Sequence, residues 1–119
     1  MHPTLAAINF DCSDPSELAR FCGSLLGGEV VLETQRYCAA KVGEFYFGCT
    51  FAEGYEPPTW PSSERPVQLH LDFAVDDLDQ AEVTAVELGA VVESHQPDRA
   101  RFRVFRDPAG HPFCLRAAS

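Results

Sequence analysis

The chain has no pair of cysteines in CxxC spacing, no apolar run near the ~20 residues that span a bilayer, and no basic stretch denser than Arg99, Arg101, Arg103 and Arg106. Each absence removes a class of function. Without CxxC pairs there is no signature of a structural zinc site. Without an apolar span there is no membrane partner, and the opening Met1-His2-Pro3-Thr4 lacks the basic-then-apolar layout of a secretory signal, which predicts a cytoplasmic protein. Positive charge is scarce as well: 9 Lys and Arg stand against 18 Asp and Glu, a net charge of −9. Neutralising phosphates needs clustered cations, so nucleic acid is excluded as a partner.

What is present suffices for one packed domain. The 119 residues are 45% hydrophobic and include nine Phe, three Tyr and one Trp, enough apolar surface for a core without staples. The length leaves no room for a catalytic and a regulatory domain together, so any site lies within one fold or between two copies. Five cysteines, Cys12, Cys22, Cys38, Cys49 and Cys114, are odd in number and scattered through apolar segments, as reduced buried thiols are.

Two stretches repeat each other. Ala7-Ile8-Asn9-Phe10-Asp11-Cys12 and His70-Leu71-Asp72-Phe73-Ala74-Val75 both alternate with period two, one parity apolar and the other mixed, the signature of a strand covered on one face. Each runs into a helix start: Asp14-Pro15-Ser16-Glu17 offers an N-cap, a first-turn proline and a capping-box Glu, and Asp77-Leu78-Asp79-Gln80 a cap and Gln. Leu18, Phe21, Cys22, Leu25 and Leu26 make a helical stripe stopped by Gly27-Gly28, and Ala81, Ala85 and Leu88 a sparser one stopped by Gly89. Short extended segments follow in each half. The order is βαβββ twice, an α+β fold with module 1 over about residues 4–53, a linker over 54–66 and module 2 over about 67–117. Four prolines mark the linker, and its Tyr55 and Trp60 either dock on the protein's own surface or rim a binding site, since large aromatics rarely stay wet.

Two such modules, together with His70-Leu71-Asp72-Phe73 and the ending Asp107-Pro108-Ala109-Gly110-His111-Pro112-Phe113-Cys114-Leu115, resemble the glyoxalase-like branch of the vicinal oxygen chelate superfamily, which includes isomerases, extradiol dioxygenases and antibiotic-resistance proteins. The resemblance covers nearly the whole chain. It implies a curved mixed sheet with helices on its convex side and a concave cup where metal-dependent members hold a divalent cation. Against that pattern, Ala7 stands where the second repeat has His70, and Cys114 stands where the motif Asp-Pro-x-Gly-Asn-x-x-Glu places Glu. His70 is the one strong ligand left, with Cys114 a soft second, so no cofactor is expected and a divalent metal is the alternative.

Parity then assigns Leu71, Phe73, Phe102, Val104, Phe113 and Leu115 to the helix side and His70, Asp72, Arg101, Arg103, Cys114, Arg116, Tyr46 and Thr50 to the cup. His70 and Asp72 are the candidate catalytic pair, the carboxylate orienting the imidazole as a general base or hydrogen-bond clamp; a structural ion pair with an arginine is the competing reading. Tyr46, Thr50, Tyr55, Trp60, Arg101, Arg103 and Cys114 are candidate ligand contacts, the arginines suiting an anionic or aromatic molecule. The function expected is small-molecule binding with the reaction unassigned. A metal-dependent lyase, isomerase or dioxygenase of the glyoxalase type and a drug-sequestering resistance protein are the alternatives. Exposed sheet edges predict a homodimer.

Overall fold

The computed structural model describes residues 1–118, and the chain divides into two units, Met1–Glu56 and Pro57 onward. In the first unit β1 (Ala7–Cys12) leads to α1 (Pro15–Leu26), then β2 (Glu29–Glu33), β3 (Tyr37–Val42) and β4 (Phe45–Phe51); in the second, β5 (Leu71–Val75) leads to α2 (Leu78–Leu88), β6 (Val91–Val92), β7 (Phe102–Arg106) and β8 (Pro112–Ala117). The two sheets run β1-β4-β3-β2 and β5-β8-β7-β6. In each, the first strand lies parallel to the last and the remaining pairs are antiparallel. These are the two βαβββ modules expected of an α+β chain.

The helices start where their caps say. The carboxylate of Asp14 accepts from the amide of Glu17 at 3.1 Å, and that of Asp77 from the amide of Gln80 at 3.1 Å, each satisfying a donor the first turn leaves free. Helix α1 closes at Gly27, whose φ of 73° suits a residue without Cβ. The stripes also differ as their sequences do. Leu18, Ala19, Phe21, Cys22 and Gly23 of α1 are buried, whereas Ala85 alone is buried in α2. All five cysteines are buried thiols, and Cys12, Cys38 and Cys49 are wholly inaccessible in the first unit's core.

Strand β6 stops at two residues, shorter than the extended run at 90–93 suggests. The reason is Gln96. Its side-chain amide donates to the carbonyls of Val104 and Glu93, each at 2.8 Å, and accepts from the amide of Val104 at 2.9 Å, so past the Glu93 amide, which still donates to the Val104 carbonyl at 3.0 Å, a side chain takes the Val104 N–H that a strand carbonyl would fill.

The proline-rich segment is tied down rather than loose. Thr59 and Arg65 exchange backbone and hydroxyl hydrogen bonds, including Thr59 N to the Arg65 carbonyl at 2.7 Å, and Arg65 Nε reaches the Pro57 carbonyl at 2.9 Å. A closed loop over residues 59–65 is thus held as one wall of the second unit.

Candidate functional site

Register decides which side chains meet. Asp72 lies opposite Cys114 across β5–β8, and Val104 lies opposite Cys114 across β7–β8, with Phe102 opposite Arg116. One face of the second sheet therefore carries Asp72, Cys114, Val104, Phe102 and Arg116, and His70, two residues before Asp72, continues its parity. Nε2 of His70 is 3.2 Å from Oδ1 of Asp72, and Nη1 of Arg116 is 3.9 Å from the other carboxylate oxygen. The Cys114 thiol lies across β5–β8 from the same Asp72. Burial first, and then the charge and hydrogen bond of Asp72, push that thiol up to about 11. It stays protonated at neutral pH and is not an activated nucleophile.

The opposite face belongs to the helix, and there the expected placement of two arginines is overturned. Arg103 lies opposite Leu115, on the side of Phe105 and Phe113, and its Nη1 reaches Asp79 at 2.9 Å and Glu82 at 3.2 Å, both on α2. Arg101 shares that parity, pairs with Asp98 at 3.6 Å and is otherwise solvated. Neither stands with His70. In β7 apolar does not mean helix-facing: Val104 and Phe102 are apolar yet face away from α2. The signal lay in the linker and the residue after it, where Trp60, Pro61, Pro66 and Val67 need an apolar surface to cover.

They cover this one. A cavity of about 440 Å³ is walled on one side by Trp60, Pro61 and Val67 and on the other by Phe102, Val104 and Cys114, with His70 at its edge. The ring of Trp60 stacks at a tilt 5.4 Å from that of His95. Behind the wall sits Arg106, missed as a contributor. It bonds Glu93 at 2.9 Å and donates to the carbonyls of Pro58 at 3.1 Å, Trp60 at 3.2 Å and Gly110 at 3.1 Å.

Tyr46, Thr50 and Tyr55 lie in the first unit, whereas the cavity is built of second-unit residues. Tyr46 and Thr50 do share a face, opposite Ala7 and Asp11 of β1. On that face the Tyr37 hydroxyl donates to Asn9 at 3.3 Å over Gly48, where a Cβ would run into both side chains.

The sequence pattern of the Glyoxalase-like domain matches residues 7–116. The chain belongs to the Glyoxalase-like domain family. Solved structures agree with it in fold. A glyoxalase/bleomycin resistance protein/dioxygenase family enzyme from Burkholderia phytofirmans PsJN superposes with a TM-score of 0.74 at 16% identity, over 98% of this chain and 100% of that one. The fosfomycin resistance protein FosX from Mesorhizobium loti gives 0.72 at 18% identity over 100% and 94%, and FosX from Listeria monocytogenes 0.73 at 16% identity over 100% and 96%. No match is found among curated proteins.

The resemblance implies a divalent cation, and the side chains present bear on it. His70, Asp72 and Cys114 each offer one donor atom, and the three atoms lie within 4.8 Å of one another, the one such group among the described residues. Imidazole nitrogen, carboxylate oxygen and sulfur form a set that fits a borderline-soft dication. Alternation along the sequence offers His70 and Cys114 as donors, and the register of β5 against β8 adds Asp72.

Proposed function

We propose that this protein binds a small, mainly apolar organic molecule in the second-unit cavity. The observation that carries the reading is the cavity's composition: mostly aromatic, proline and aliphatic walls from Trp60 to Val67 and from β7, with Thr59, Ser62, Ser63, Gln68 and His70 as polar groups among them. Its volume lies within the roughly 300–1,000 Å³ of small-molecule sites, which are likewise apolar with a few placed polar groups. The fold it shares with resistance proteins and a dioxygenase-family enzyme supports a small organic ligand.

In this reading the apolar walls exclude water and hold the ligand's body, while His70 engages a polar group. Asp72 accepts from the imidazole on the far side and fixes the ring, so His70 can hold or receive a proton at the atom turned to the ligand. Trp60 closes the apolar side. A divalent cation held by His70, Asp72 and Cys114 would supply a Lewis acid at the same edge. Tyr46 and Thr50, placed by strand parity, and Tyr55, placed as a linker aromatic, are proposed as ligand contacts of the first unit.

The test is a thermal-shift screen of small aromatic and carbonyl compounds, followed by calorimetry on hits. Trp60→Ala and His70→Ala should each weaken binding by about 1–3 kcal/mol with little change in Tm. Hits that bind both variants as tightly as the parent would contradict the reading.

No helix among the described residues is long and apolar enough to cross a membrane. We read the chain as a cytoplasmic homodimer: the edge strand β2 leaves Val31 and Leu32 about half exposed, surface that a second copy would cover. Light scattering that gives a monomer at micromolar concentration would count against it.

A further inference from the structure

A chain with 18 acidic residues against 9 basic ones has its cavity lined by no Asp, Glu, Lys or Arg, and His70 is the one lining residue that can carry positive charge. The guanidinium groups around it are committed elsewhere. All five N–H groups of Arg106 are taken, by Glu93 and by the carbonyls of Pro58, Trp60 and Gly110. Arg103 is held by Asp79 and Glu82 on the helix side. Arg116 stands 3.9 Å from Asp72 on a side chain that is 60% exposed, outside the lining. Nε2 of His70 lies 3.2 Å from Asp72, so a protonated imidazole already has its counter-charge. An anion entering this cavity leaves water without gaining a partner charge, and so does a cation, a transfer that burial penalises.

With the cavity read as the ligand site, as above, we propose that it selects an uncharged ligand with a carboxamide-type edge, a hydrogen-bond donor beside an acceptor, and that Gln68 reads that edge.

The other polar walls leave Gln68 in this role. The Thr59 hydroxyl donates to the Ser62 carbonyl at 2.9 Å and accepts from the Arg65 amide at 3.0 Å. The Ser62 hydroxyl accepts from the Glu64 amide at 3.3 Å. The Ser63 hydroxyl and the Gln68 carboxamide have no protein partner among the described residues. Of these two, only the carboxamide presents a donor and an acceptor in one plane. Gln68 is exposed, lies two residues before His70 and borders the same cavity. A ligand amide meets it with two parallel N–H···O bonds. A carboxylate sets an oxygen against its carbonyl, and an amidinium sets N–H against N–H, so mismatch discriminates as much as attraction does.

The experiment titrates the full chain with benzamide, benzoate and benzamidine, one shape in neutral, anionic and cationic form. It reads the emission of Trp60, the single tryptophan and a lining residue. We expect benzamide to bind more tightly than either ion by about tenfold or more, the scale of a charge left without a partner. Gln68→Leu weakens benzamide by about threefold or more and leaves toluene, which has no polar edge, unaltered. Gln68→Glu moves the preference to benzamidine, whose N–H pair then meets a carboxylate. Benzoate or benzamidine binding the parent as tightly as benzamide, or benzamide affinity unchanged in Gln68→Leu, would overturn the proposal and leave the cavity standing as a ligand site. Silence from all three compounds overturns it too, and the cavity reading falls with it only when every compound of the thermal-shift screen also fails to bind. Should Gln68→Leu fail to fold by circular dichroism, Gln68→Glu, with the polar edge kept, decides it.

Discussion

Arg106 holds Glu93 through Nε at 2.9 Å, and the same guanidinium reaches back to the carbonyls of Pro58 and Trp60. One side chain of β7 thereby fastens the loop that walls the cavity, from behind and without lining it. Five donors in a fixed fork suit this role, as an ammonium would not.

Removing the fork should release the wall. Arg106→Ala leaves the Glu93 carboxylate and three carbonyls unpartnered and should cost about 2–4 kcal/mol. Trp60 is the single tryptophan, so its emission in the folded variant should shift to the red and quench more readily with acrylamide. Unchanged emission would show that the loop holds itself.

Arg103 gives the opposite expectation. Its bonds go to Asp79, Glu82 and the Arg99 carbonyl, on the side away from the cavity. Arg103→Ala should lower stability by about 1–2 kcal/mol, discounted because Asp79 is solvated, and leave affinity for any cavity ligand unaltered. Loss of affinity at unchanged urea midpoint would return Arg103 to the site.

These two arginines mark where sequence reasoning reached its limit. The caps at Asp14 and Asp77, the duplicated βαβββ order, and the shared parity of His70, Asp72 and Cys114 were all legible, because each depends on local chemistry or on strict alternation. Strand β7 was not. In Phe102-Arg103-Val104-Phe105-Arg106 both parities are apolar in part, since Val104 faces the loop while Phe105, wholly buried, and Arg103 face the helix. Alternation identifies a face only when the other one is wet. Gln96 was equally hidden, for nothing in its identity announces an amide that completes a ladder.

In the first unit, Gly48→Ala should be costly, because a Cβ there would run into Asn9 and lie 2.5 Å from the Tyr37 hydroxyl. The expected loss is about 1–3 kcal/mol, and Asn9→Ala should recover most of it. A urea double-mutant cycle checks the coupling; additive losses would place the strain elsewhere.

Asp107 carries a pH signature. Its carboxylate accepts from the amides of Ala109 at 2.9 Å and His111 at 3.0 Å, but burial outweighs these bonds and the His111 charge and pushes its carboxyl above the ordinary range. The folded state therefore keeps this proton to higher pH than the unfolded chain, and its contribution to stability falls as pH rises from about 4, the unfolded value. Asp107→Asn is neutral throughout and should lack that fall. Urea midpoints of parent and variant, compared from pH 4 upward, should diverge in the variant's favour; parallel curves would contradict the assignment.

The central claim is that ligands enter the cavity between the 59–67 loop and β7. Chemical-shift mapping on labelled protein, titrated with the best compound from the thermal-shift screen, tests it most directly. The account predicts that the amides perturbed are those of Trp60, Val67, His70, Val104 and Cys114. Perturbations gathered instead on Glu82, Ala85 and Arg103, the helix side of the same sheet, would contradict it.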